Sequence, residues 1–293
     1  MDVGLLMLAG GIATGIFGSL LGLGGGILIV PFLTLVFGLP VREAVGVSLV
    51  CVIVTSGASA GVYLQRNVAN LRLGMVLELF TAIGAVAGGA IAFLLDERLL
   101  AGLFAGLLVY VALTMLRRAT ASPSSDALPG GEADASPPPP SPMPVERASA
   151  APATTQGTFM DRLSGPDYQI GRLRTGAAGS LFAGVVSALL GIGGGIVKVP
   201  VMNLVMGVPL RVATATSNLM IGITASTSAI VYLLRGGIDP FVAGPTAVGV
   251  FIGATLGSRT AHRIDLRVLR FLFVAVLVYT AFEMARRAAG ATA

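Results

Sequence analysis

Residues Leu99 to Leu116 form a run of about 18 positions without a single charge. A bilayer hydrocarbon core of about 30 Å requires about 20 residues of α-helix to cross it. Comparable apolar stretches fall roughly at 3–21, 26–39, 44–64, 73–95 and 99–116, and again at 176–190, 195–208, 212–233, 240–258 and 268–285. Of the 293 residues, 55% are hydrophobic and 11% charged, and the mean hydropathy is +0.88. A soluble domain carries roughly 25% charged residues, and no water-soluble fold of this length could bury so much apolar surface. The sequence therefore predicts an all-α, polytopic integral membrane protein with the lipid bilayer as its main partner.

Composition also narrows the function. The 40 glycines suit helices that must approach closely without a hydrophobic driving force. The single cysteine, Cys51, excludes an internal disulfide and a cysteine metal cluster, and His262 stands alone. No Ser/His pair, carboxylate pair or metal-ligand group lies within the apolar stretches, so no catalytic site, metal or cofactor is expected. The net charge of +5 comes from residues scattered at the ends of apolar segments, as orientation determinants are, and calls for no nucleic acid. Met1-Asp2-Val3-Gly4 lacks the basic region of a cleaved signal peptide and is expected to be retained.

Three regions follow from the pattern: a first membrane repeat over 1–118, a Pro/Ser/Ala-rich linker over 119–171 and a second repeat over 172–293. The linker contains Pro137-Pro138-Pro139-Pro140 and offers no apolar surface from which to build a core. Sliding the chain by about 169 positions aligns the two repeats without a gap, with about 42 of about 116 pairs identical. Gly22, Gly24, Gly25, Gly26 and Pro31 fall on Gly191, Gly193, Gly194, Gly195 and Pro200, while Ser48, Thr55 and Tyr63 fall on Ser217, Thr224 and Tyr232.

Each repeat has four or five spans, depending on whether the short second stretch crosses by itself or continues the first. Five spans would invert the halves and place about eleven arginines inside against five outside; four would make them parallel, at about nine against seven. The inverted arrangement is favoured, and both put the linker in the cytoplasm.

The two glycine runs are the best local pointer to a site. Each interrupts an apolar stretch and then opens a new helix, leaving backbone N–H groups bare where an anion is stabilised. Broken segments at corresponding places in two halves mark transporter binding sites, though such glycines also serve simple turns and close crossings. Candidate substrate-binding residues are Gly24, Gly25, Gly26, Gly193, Gly194 and Gly195. To these are added Ser48, Ser217 and Asn218 as hydrogen-bonding side chains, and Lys198, which either supplies a positive charge or snorkels to the interface. Glu78, inside the fourth stretch, is a proton-coupling candidate if desolvated and a wet interfacial carboxylate if not.

At the two Gly-x-Gly-Gly-Gly-x-x-x-x-Pro motifs, ending in Pro31 and Pro200, the chain resembles the sulfite-exporter (TauE/SafE) family of membrane transporters. The resemblance spans both repeats. It implies a multi-pass transporter of the plasma (inner) membrane for small sulfur-containing anions such as sulfite or sulfonates, and the linker would be an extended form of the family's central loop. The function expected is therefore secondary transport of a small anion. An anion channel, or a membrane protein without a transport role, is the alternative. Neither the oligomeric state nor the coupling ion is fixed by these features.

Overall fold

The structure is a computed structural model, and it describes residues 3–20, 26–65, 69–120, 170, 172–260 and 266–290. Gly22, Gly24 and Gly25 and nearly all of the linker segment 119–171 lie outside the described residues. Ten α-helices are present among those described: α1 (Val3–Leu20), α2 (Gly26–Val36), α3 (Val41–Gln65), α4 (Leu71–Leu94), α5 (Glu97–Thr120), α6 (Leu173–Leu190), α7 (Gly195–Pro200), α8 (Leu210–Leu234), α9 (Pro240–Thr260) and α10 (Leu266–Ala288). A π-helical turn, Val201–Val205, extends α7. No strand occurs among the described residues. The membrane architecture expected from the apolar stretches is thus the one observed. Five of the helices, covering Leu71–Leu94, Glu97–Leu116, Leu173–Leu190, Val212–Leu234 and Pro240–Gly257, are long and apolar enough to cross a bilayer.

Local chemistry explains the helix ends. Both short helices stop in the same way. Leu39 N–H donates to Leu33 O at 3.3 Å around left-handed Gly38, and Val208 N–H donates to Met202 O at 3.0 Å around left-handed Gly207. Glycine adopts that conformation freely, and Pro40 or Pro209 then directs the chain into the next helix. The Asn70 side chain accepts from Leu73 N–H at 3.1 Å and caps α4. At the other end of α4, Arg42 donates to Ala92 O at 3.2 Å and Leu95 O at 2.8 Å, covering carbonyls left without helical partners.

Two tight crossings organise the bundle. Along α1 and α9, Gly15 faces Val250 and Ala254, Gly253 faces Ile12, and Gly257 faces Ile16, so the two helices run side by side in the same direction. Along α4 and α6, Gly84 faces Leu181 and Gly88 faces Val185, again in parallel. Side chains are absent where the backbones touch: a methyl added at Gly88 would stand 2.7 Å from Val185 Cα. In lipid this close approach supplies dispersion contacts that no apolar driving force would provide.

Helix α8 also runs alongside α4. Gly74 lies by Thr216 and Met220, Glu78 by Thr224, and Gly89 by Val231. Tyr232, near the end of α8, donates to Ala188 O near the end of α6 at 2.9 Å. Helices α4, α6 and α8 therefore share a direction and finish together. Helix α3 begins at that same end, through Arg42, and so does α9, whose approach brings Gly237 and Ile238 against Gly46. The start of α5 meets the end of α10, where Gly290 lies by Arg98.

The outer surface is lipid-like. Met75, Leu79, Ile83 and Val86 form an exposed stripe on α4, and Leu99, Leu103, Val109 and Leu113 form one on α5. Spacings of three and four residues keep the α4 stripe on one helix face.

The glycine crossings give a direct test. Gly84→Val should lower stability by about 1–3 kcal/mol or more, because its side chain would collide with the Leu181 peptide. Gly244→Ala, which meets nothing within 4 Å, should leave the melting temperature in detergent close to that of the parent.

Candidate functional site

The second glycine run is a tight reversal between two helices. Gly191 ends α6 at φ 68°, its N–H donating to Ser187 O at 2.8 Å, and Gly193 and Gly194 follow at φ 80° and 77°. Three left-handed residues within four positions are tolerable only for glycine. After the turn, α7 runs back against α6: Gly194 lies by Ser187, Gly179 by Val201, and Gly176 by Met206. The short stretch therefore reverses direction rather than continuing the crossing begun by α6.

Gly26, the last glycine of the first run, meets the second run. The Ser48 hydroxyl lies 2.8 Å from Gly191 O and 3.1 Å from Gly26 O, tying the start of α2 to the turn after α6. This places Gly26 and Gly191 in contact across the halves. It also gives Ser48 a structural partner: its proton goes to backbone carbonyls, whereas the sequence suggested a donor toward substrate.

Around the turn, buried polar groups lack partners. Among the described residues, the hydroxyls of Ser187 and Ser217 are the buried side-chain groups without a hydrogen bond, at 0% and 1% exposure. They flank the turn. A methyl added at Gly194 would stand 3.2 Å from Ser187 Cβ, and one at Gly195 would stand 3.6 Å from Ser217 Oγ. No described acceptor meets the N–H groups of Gly193, Gly194 or Gly195. Buried polar groups are nearly always satisfied, so a cluster of orphaned ones calls for an explanation.

Lys198 stands beside this cluster, its Cε 3.6 Å from the methyl position at Gly194. It is 1% exposed, which removes the snorkelling alternative. Nor is it a free charge. Its Nζ lies 3.1 Å from Glu78 Oε2, and it also donates to Thr224 Oγ1, which donates in turn to Glu78 Oε1 at 2.7 Å. Glu78 is 4% exposed, so it is not the wet interfacial carboxylate that its position near the start of α4 allowed. The triad joins α4 of the first half to α7 and α8 of the second.

The remaining candidates are more peripheral. Asn218 offers its backbone carbonyl to the Ser56 hydroxyl at 2.8 Å, and Gly24 and Gly25 lie outside the described residues. Sequence reasoning counts Thr224 among the short polar groups on its stretch but does not select it as a candidate, and it does not name Ser187. Ser187 carried a usable signal, being a hydroxyl one helical turn before the glycine run. No group of three or more metal-ligating side chains occurs among the described residues.

The sequence matches the family described as "Sulfite exporter TauE/SafE" over residues 7–284. The chain belongs to the TauE/SafE family. Its relatives in that family carry transporter names. It is 26% identical to the probable membrane transporter protein YunE of Bacillus subtilis (strain 168) over 275 residues, covering 92% of each chain. It is 26% identical over 298 residues to the probable membrane transporter protein MamO of Magnetospirillum gryphiswaldense, covering 96% of this chain and 44% of that one. A match to the sulfite exporter TauE/SafE family protein 6 of Arabidopsis thaliana reaches 32% identity over 114 residues, 39% of this chain and 26% of that protein. No solved structure matches. As a TauE/SafE protein the chain is a multi-pass membrane transporter, in a family of transporters rather than enzymes.

The buried triad makes a stability prediction. Lys198→Met or Glu78→Leu alone should cost roughly 3–5 kcal/mol, because each leaves the partner charge buried and unpaired. The double variant Glu78→Leu/Lys198→Met should recover most of that loss, since packed apolar groups replace a desolvated pair at little cost. Thermal melting of the four proteins in detergent measures the coupling.

Proposed function

We propose that this TauE/SafE protein is a secondary transporter of a small anion, a sulfur oxyanion or organosulfonate, at the plasma membrane. The observation that carries the reading is the set of orphaned groups at the turn. Three backbone N–H groups can only donate, two hydroxyls are free to donate, and a lysine ammonium stands within the same cluster. A collection of donors beside a cation suits an anion with several oxygens. On this reading the substrate lies over Gly193, Gly194 and Gly195, with Ser187 and Ser217 contacting its oxygens and Lys198 supplying charge. Gly26, with Ser48 and Asn218, forms the opposing wall, and Gly24 and Gly25 remain substrate-binding candidates on sequence grounds. Glu78 is the proton-coupling group.

The same reading makes the halves inverted copies. Helices α1, α3 and α9 begin where α4, α6 and α8 finish, so the pairs α1/α6, α3/α8 and α4/α9 run in opposite senses. An inverted pair of units that can rock about a shared central site is a recurrent way of exposing that site to each side in turn. The linker then lies in the cytoplasm and both ends of the described chain outside. Maleimide labelling of a cysteine at residue 288, on a Cys51-free background, should occur from outside cells only, and labelling from the cytoplasmic side would sink the inverted assignment.

Transport itself is tested with purified protein in liposomes, offered sulfite, sulfate, thiosulfate, isethionate and sulfoacetate. Saturable uptake of at least one is expected, whereas flux rising linearly with concentration would favour a channel. Lys198→Met should weaken binding at least tenfold, a charge-assisted hydrogen bond being worth roughly 1.5–3 kcal/mol. Lys198→Arg should do less harm. Unchanged affinity in Lys198→Met would remove the lysine from the site.

A further inference from the structure

Resting on the anion site proposed above, we infer that Glu78 and the transported anion are alternative counter-ions of Lys198, so that each anion enters the site together with one proton. The geometry sets up the competition. Lys198 Nζ lies 3.1 Å from one carboxylate oxygen of Glu78, and Thr224 bridges the ammonium to the other oxygen. Among the described residues this is the one buried ion pair; the other, Arg286 with Glu283, is an i,i+3 contact near the end of α10. The charge that would attract an anion is therefore already neutralised inside the protein.

An anion arriving beside an intact pair would leave two negative charges against one positive, with almost no water to screen them. That arrangement is strongly unfavourable in a low-dielectric interior. Proton transfer from solution to Glu78 resolves it. The carboxylate becomes a neutral acid that keeps Thr224 as a hydrogen-bond partner, and Lys198 turns its positive charge to the anion. The balance is closed: one proton and one monoanion enter, the acid O–H bond forms, and the net charge of the site is unchanged. By linkage, proton and anion then favour each other's binding to the same extent.

Other charged groups on the packed elements stand elsewhere. Arg72 lies at the start of α4 and Arg235 just past the end of α8, each several residues along the chain from Glu78 or Thr224, and Arg174 opens α6, which carries no member of the triad. Tyr232 on α8 gives its hydroxyl proton to Ala188 O. Nothing else described at the triad is poised to exchange charge with Lys198. Thr224 is the pivot, since its one hydroxyl touches both partners and stays hydrogen-bonded in either state.

Isethionate and thiosulfate are suitable probes, because both stay fully ionised across the pH range in which proteins fold. Binding to the purified full-length protein is measured by calorimetry at several pH values, with proton uptake followed by an indicator dye in weak buffer. For isethionate, the wild type should take up one proton per anion, and affinity should fall about tenfold per pH unit as pH rises, the slope of one linked proton. Thiosulfate, a dianion, should show at least the same slope. Glu78→Gln, a neutral stand-in for the protonated acid, should bind with no pH dependence, take up no proton, and carry the anion in liposomes without moving protons. Lys198-dependent binding with no proton uptake in the wild type would overturn the exchange and leave the anion site standing, as would a Glu78→Gln variant with an unaltered pH slope. Failure of both probes to bind, or equal binding by Lys198→Met, would overturn the anion site and the exchange together. Should Glu78→Gln fail to insert, proton uptake by the wild type decides the matter alone.

Discussion

A lysine that no water reaches must find a counter-charge or lose its own, and in this protein it finds one on another helix of the other half. Lys198 and Glu78 are 120 residues apart in sequence and 3.1 Å apart in space. Their pairing requires α4 to lie within a side chain's reach of α7 and α8, and that requirement runs through the rest of the bundle. Gly74, Gly84, Gly88 and Gly184 remove the side chains that would hold α4 away from α6 and α8. Gly89 does the same against Val231, one further step along α8. Small residues that look like mere packing are thus what delivers the carboxylate. A pair of this kind adds little net stability, because desolvation offsets most of the attraction. Its better-attested use is to specify one arrangement over others, since any slip of α4 along α8 would strand two buried charges.

The glycine turn obeys a related constraint. Irregular backbone at membrane depth survives only against protein or a polar cavity, because lipid offers no partner to exposed N–H and C=O groups. Two of the carbonyls in this region, Gly26 O and Gly191 O, are met by the Ser48 hydroxyl. The N–H groups on the far side are not met. Satisfied acceptors beside unsatisfied donors leave a surface with one polarity, and that asymmetry gives the turn its selectivity for negative charge in the reading developed above.

Much of the fold was legible because its physics is local. Ten apolar stretches correspond to ten helices within a few residues, since bilayer thickness sets length and the Gly-Leu-Pro and Gly-Val-Pro steps at Gly38 and Gly207 punctuate them. The second glycine run announced itself as a break for the same reason. The partnership of Lys198 with Glu78 left no such trace. Nothing near either residue names the other, because the contact is made by tertiary packing between helices that belong to different halves. Reading Lys198 as either a charge for substrate or a snorkelling side chain followed from treating its segment alone. Ser48 shows the same limit: its own helix gives no sign that the carbonyl of a distant turn, Gly191 O, accepts its proton.

Comparing equivalent positions sharpens the point. At the offset of about 169 that aligns the halves, Lys198 falls on Ile29 and Glu78 falls on Ala247. Both of those apolar residues are buried in the main hydrophobic core. Neither half keeps one charge of the pair without the other being available across the bundle, and the equivalent positions carry neither. That is the pattern expected where an unpaired buried charge is costly while a complete pair and a complete apolar replacement are both tolerable. Ser48 and Ser217 make a complementary contrast. They fall on each other, yet one hydroxyl is bound by two carbonyls and the other has no partner. The Ser48 hydroxyl closes the structure between two carbonyls, whereas the Ser217 hydroxyl stays open beside the Gly195 end of the turn. In the proposed reading, the anion lies on the side where the hydroxyls of Ser187 and Ser217 remain without partners.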